Sequence, residues 1–173
     1  GRHIAAIAGA NGSLLARLAL PGRGHAPVVS GDGRHALVLA RRPQRFALVI
    51  DLKRLTVTHH FDAPAGRHFY GHAVFSDGDN LFYTPENDFE AARGVIGVWR
   101  MHGAAAPQRI GELESHGIGP HEIRLMPDGD TLVIANGGIE THPDSGRAKL
   151  NLPVMRPNLC YISENGDIRE VVE

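Results

Sequence analysis

The sequence predicts an all-β fold, a β-propeller of four-stranded antiparallel blades. Three observations predict it. Apolar runs are four to six residues long, rich in Val, Ile and Leu, and bounded by Gly, Pro, Asp and Asn; that is the pattern of short strands rather than helices. A unit of His, strand, Asp/Gly turn, strand, loop, strand, turn, strand occurs three times. Its leading histidines, His25, His72 and His121, stand 47 and 49 residues apart. A four-stranded unit repeating at roughly 40 to 50 residues is a propeller blade.

The elements follow in order. Residues 1–22 read as the outer half of a blade, with strands over 3–8 and 14–20 and a turn at Ala10-Asn11-Gly12. Residues 24–61 form the first full blade, with strands over 26–30, 35–40, 46–51 and 57–61. Residues 70–113 form the second, with strands over 73–76, 80–84, 95–100 and 109–113. Residues 119–172 form the third, with strands over 122–126, 131–135, 158–163 and 168–172. The turns between the first two strands read GDG, SDGD and PDG, residue types that tolerate positive φ. The nearest approach to a helix is DFEAAR at 88–93, one or two turns. About three and a half blades are therefore present. A propeller closes with typically 4 to 8, so the chain reads as part of a longer ring; an open four-bladed arrangement is the alternative.

Composition narrows the function classes. Hydrophobic residues make up 42%, charged residues 21%, and the net charge is -1, as in an ordinary globular protein. Such a charge gives no electrostatic case for nucleic acid. No apolar run approaches the roughly 18 to 20 residues that span a bilayer. The single cysteine, Cys160, has no intramolecular partner and reads as a buried strand residue. The chain starts at Gly1 rather than Met and without a charged-then-apolar leader, so it reads as a processed or truncated product. Histidine is the outlier, with 11 in 173 residues where ordinary usage gives roughly 4.

Propeller geometry gives those histidines a meaning. The innermost strand of each blade borders the central channel, so equivalent positions in successive blades converge. His25, His72 and His121 hold that position and can bind a transition metal through imidazole nitrogen. Glu86 and Glu122 are carboxylate candidates for the same ion. The competing reading is structural, each ring bonding a neighbouring loop. The loops after the second strand lie at the same end, because antiparallel strands alternate. They span 41–45, 85–94 and 137–157, and insertions gathered on one face mark a working face. The last reads either as a lid or as an Ω-like loop closed on its own polar groups. As a lid it offers Arg147 and Lys149 to an anion, with Asn136 at its root, and His142 beside Glu140 as further metal ligands. No G-x-S-x-G, P-loop or dinucleotide motif is present. No catalytic residue is assigned, and binding is favoured over enzymatic activity.

Three segments carry a family resemblance: YGHAVFSDGDNLFYTPENDFEAARGVIGVW, RIGELESHGIGPHEIRLMPDGDTLVIANGGIETHP and GRAKLNLPVMRPNL. Together they resemble a bacterial periplasmic propeller family of unknown function. Its members are encoded beside imelysin-type lipoproteins and di-haem cytochrome-like proteins, in clusters linked with iron acquisition. The resemblance implies a periplasmic, seven-bladed protein with a signal peptide in its full-length form, and partners among those imelysin-type or cytochrome-like proteins. With it, the expected role is a module that binds a metal such as iron or copper, a metal complex or a partner. The alternatives are a metal-dependent enzyme of lactonase or oxidase kind using the central funnel, and a pure interaction scaffold. Where the family reads Ser-Pro-Asp-Gly, this chain has Ser76-Asp77-Gly78-Asp79.

Overall fold

The structure is a computed structural model that describes residues 3–173 except 102, 104 and 147. It is all-β, apart from two three-residue 3-10 turns at Pro143–Ser145 and Leu152–Val154. Strands β1 (His3–Ala8) and β2 (Leu14–Leu20) form a two-stranded antiparallel sheet. The first full unit orders β3 (Val28–Val29), β4 (His35–Leu39), β5 (Phe46–Asp51) and β6 (Thr56–Asp62) side by side. The second contains β7 (Arg67–Phe69), β8 (Val74–Phe75), β9 (Leu81–Asp88), β10 (Arg93–Arg100) and β11 (Gln108–Glu114). The third orders β12 (Pro120–Leu125), β13 (Thr131–Asn136), β14 (Asn158–Ser163) and β15 (Ile168–Val172).

The central strands are buried on both faces because each sheet is packed between its neighbours. On β5, Ala47 and Val49 enter one core cluster while Ile50 enters another. The core between the first and second units holds Leu37, Leu39, Phe69, Phe82 and Trp99. Phe82 and Trp99 lie parallel there, ring centres 6.0 Å apart. The core between the second and third holds Tyr83, Ile96, Ile123, Leu132 and Ile162, with Cys160 buried among them. The β1–β2 pair rests on Ala36, Val38 and Ile50. Burying each large side chain contributes about 1.5–3 kcal/mol, so these inter-sheet layers carry most of the hydrophobic stabilisation. The turns add a polar clasp: Asp79 accepts the backbone N–H groups of Gly31 at 2.8 Å and Asp32 at 2.9 Å. The departure at 76–79 therefore lies at a contact between units.

Each expected strand has a counterpart, with three differences. The first strand of the first unit shrinks to β3, because Pro27 has no N–H to donate to the ladder. The segment 85–94 is mostly strand rather than loop: β9 runs to Asp88, β10 starts at Arg93, and a tight turn joins them. The DFEAAR segment forms that turn and no helix, with Ala92 at φ 50°. The cause is an unforeseen edge strand. β7 pairs with the far end of β9, Phe69 opposite Glu86 and Arg67 opposite Asp88. β8 pairs with the near end, Phe75 opposite Phe82. Gly71, at φ 94°, separates these two half-strands.

Candidate metal centre

The three leading histidines stand at one end of three consecutive sheets: His25 just before β3, His72 just before β8, and His121 at the head of β12. Gly71 is what lets the chain bring them close. Its φ of 94° suits glycine, and a Cβ there would lie 2.5 Å from the His25 Cβ. The ring centres are 4.8 Å apart for His25 and His72, 5.1 Å for His72 and His121, and 6.2 Å for His25 and His121. One ring nitrogen from each lies within 4.8 Å of the others. Tetrahedral coordination at about 2.0–2.1 Å places ligand nitrogens roughly 3.3 Å apart, so side-chain rotations of about an ångström close the set.

His72 is oriented for this. Its Nδ1 lies 2.9 Å from Glu122 Oε2. With Nδ1–H donating to that carboxylate, Nε2 carries the lone pair. Nε2 is buried and has no hydrogen-bond partner among the described residues. A carboxylate that holds one ring nitrogen while the other faces the metal is the usual support for a ligating histidine. Burial holds the His72 ring below its ordinary proton affinity, opposed by Glu122 and reinforced by His121 and His25. Burial also lowers His25, followed by the charges of Arg41, His121 and Arg23. Lowered proton affinity favours the neutral ligand form near pH 7.

The remaining candidates lie elsewhere. Glu122 orients His72, and its other oxygen is 3.3 Å from Arg124. Glu86 does not reach the cluster. Its fully buried carboxylate accepts from Arg109 Nη1 at 2.7 Å and Thr84 Oγ1 at 2.9 Å. Burial pushes that carboxyl upward, opposed chiefly by Arg109. Arg109 and Arg67 also grip Glu112, at 3.0 and 2.5 Å. Glu86 thus anchors an ion network on the second sheet, bound to Arg109 of β11 at the sheet's far edge. His142 packs edge-on to Phe89 and faces Glu90 at 3.4 Å. Asn136 is a buried bracket, its Nδ2 donating to Ser115 O at 2.7 Å and Asn158 Oδ1 at 2.8 Å. Lys149 is exposed, and Arg147 lies outside the described residues.

The 137–157 segment starts beside the triad, since Pro120 pairs with Asn136. It then crosses the second sheet, where Asn87 Nδ2 donates to Thr141 O at 3.0 Å. Asn151 ties the segment to itself, accepting from Glu140 N–H and donating to Gly138 O, both at 2.8 Å. Its described bonds are those of an Ω-like loop closed on its own polar groups. Sequence reasoning missed Arg23, Arg41 and Arg42, which line a cavity under this segment with His68 and His142. The Arg41-Arg42 doublet in the shortest loop was the available signal.

The fold and this cluster define a class: all-β proteins of stacked antiparallel sheets in which histidines from three successive sheets converge at one end. The chain belongs to the family described as Protein of unknown function (DUF1513), which matches residues 18–173. No curated protein matches it. Among solved structures it is similar to Kuenenia stuttgartiensis hydrazine synthase, with 18% identity and a TM-score of 0.69, over 98% of this chain and 43% of that one. It is also similar to a functionally unknown protein from Desulfotomaculum acetoxidans DSM 771, with 12% identity and a TM-score of 0.67, over 92% of this chain and 45% of that one. At these identities the likeness concerns fold alone, and the chain spans less than half the length of either structure.

Proposed function

We propose that this chain is an arc of a β-propeller whose axial histidines, His25, His72 and His121, bind one transition metal ion. One observation carries the reading. One nitrogen from each of the three imidazoles lies within 4.8 Å of the others, and on the His72 ring Nδ1 faces Glu122 while Nε2 is buried without a partner among the described residues. Three imidazoles suit zinc, copper, iron or nickel and leave a fourth position for water or a ligand. Binding is favoured over metal-dependent hydrolysis because both oxygens of the adjacent carboxylate, Glu122, are engaged by His72 and Arg124. It is not free to activate a water. The family resemblance supports a periplasmic setting and a role in metal acquisition beside imelysin-type or cytochrome-like partners.

The test is metal titration of tag-free protein with zinc(II), copper(II) and iron(II). Saturation at one equivalent is expected for at least one ion, abolished by His72→Ala combined with His121→Ala. Glu122→Gln should weaken binding roughly 10- to 100-fold. Absence of stoichiometric binding by all three ions would overturn the proposal.

A further inference from the structure

A second feature of the same face is lined by residues other than the histidine triad. A cavity of about 550 Å³ lies between the 41–45 loop, the start of β1, His68 and the 141–146 stretch of the long segment. Its described wall contains Arg23, Arg41, Arg42, His3, His68 and His142, and no carboxylate. None of the three arginines forms an ion pair among the described residues, whereas Arg67, Arg93 and Arg109 of the second sheet each hold two or more carboxylates. Arg42 Nη1 is shielded from solvent and has no hydrogen-bond partner there. The Arg23 backbone N–H donates to Gln44 Oε1 at 3.0 Å, which joins the segment carrying Arg23 to the loop carrying Arg41 and Arg42.

Three guanidiniums around one cavity repel one another unless an anion lies between them. Their planar forks match the paired oxygens of carboxylate and phosphate. The volume falls within the usual 300–1,000 Å³ range of small-molecule sites. We infer that this cavity is a binding site for a small oxyanionic ligand, carrying carboxylate or phosphate, held by Arg23, Arg41 and Arg42.

The neutral part of the wall is fixed by its own bonds. His68 Nδ1 lies 3.2 Å from Phe69 O, and His68 Nε2 lies 3.2 Å from Asn87 Nδ2. The ring therefore donates through Nδ1–H, accepts at Nε2 and contributes no charge. Burial first, and Arg42 with it, lowers its proton affinity. The positive charge of Arg42 thus reaches the His68 ring, and an anion in the cavity relieves it.

The test uses the 173-residue chain, freed of metal by chelation and dialysis, with inorganic phosphate and citrate as probes in isothermal titration calorimetry. Saturable one-to-one binding of at least one probe is expected, several-fold weaker when sodium chloride rises from 50 to 300 mM. Arg42→Gln should weaken it at least tenfold. Arg23→Gln, at an exposed position, should weaken it several-fold without disturbing the fold. His121→Ala should leave it unchanged. The inference is overturned if neither probe binds, or if binding survives Arg42→Gln in the Arg23→Gln background. It is equally overturned if binding is lost with His121→Ala, which would move the anion to the triad.

Discussion

Adding one methyl group at Gly97 separates strand propensity from packing. Gly97 lies inside β10 with a backbone conformation that any residue can adopt. On propensity alone, alanine there should stabilise by about 0.5 kcal/mol. The surroundings reverse that sign. A Cβ would meet Glu86 Oε1 and Arg109 Nη1 far inside contact distance, and Thr84 Oγ1 at 2.7 Å. Ordinary contact starts at 3.4 Å, so Glu86 and Arg109 must separate and lose their 2.7 Å hydrogen bond. Overpacking costs about 1–3 kcal/mol. Breaking a fully buried ion pair costs about 3–5 kcal/mol. Here Arg109 is 20% exposed and keeps Glu112 at 3.0 Å, which reduces that cost to about 2 kcal/mol. The expected net loss is about 3–4 kcal/mol, or roughly 6–16 °C in Tm for a chain of this size.

Urea unfolding followed by fluorescence measures this loss directly. The sole tryptophan, Trp99, donates to Thr84 Oγ1 at 2.9 Å and lies beside the perturbed group. A double-mutant cycle then isolates the cause. Glu86→Ala removes the carboxylate that collides with the new methyl. Gly97→Ala should then cost at least about 1 kcal/mol less on that background than in the parent protein. Additivity within about 0.5 kcal/mol, or a neutral Gly97→Ala, would refute the argument.

Two further outcomes follow from the same contacts. Arg67 first, and Arg109 after it, hold the Glu112 carboxyl down to about 2 against an ordinary 4.5. Because its folded value is depressed, its contribution is present above pH 4.5 and lost as pH falls toward 2. The full linkage would be roughly 3 kcal/mol. With Glu112 38% exposed, solvent screening leaves about 1–2 kcal/mol. The urea-midpoint gap between parent and Glu112→Gln should therefore narrow steadily between pH 5 and pH 3; a constant gap would remove the linkage. At the triad, Gly71→Ala places a methyl against His25 and strains a φ of 94°. Metal affinity should fall at least tenfold in a competition titration with a chromophoric zinc chelator, and unchanged affinity would show that Gly71 does not set the approach of His25.

The sequence by itself determined the all-β organisation in successive antiparallel sheets and the coming together of His25, His72 and His121. Both follow from periodicity: short apolar runs fix strand positions, and a residue repeated at one place in successive sheets recurs at one place in space. Antiparallel order alone also put the 137–157 segment at the same end as the histidines. Only the tertiary structure decided what the carboxylates do. Glu86 and Glu122 look alike as acidic residues near strands. On β9 Glu86 reaches across Gly97 to Arg109 of its own sheet, while Glu122 lies beside the His72 ring. Strand β7 was hidden because its three residues carry no alternation of their own; β9 supplies the pairing. The arginine cavity was hidden because Arg23, Arg41 and Arg42 come from two segments that meet the third sheet's loop only after folding. A repeat in sequence specifies which positions are equivalent. Which non-equivalent groups meet depends on how the sheets stack, and that is settled by packing between units rather than within them.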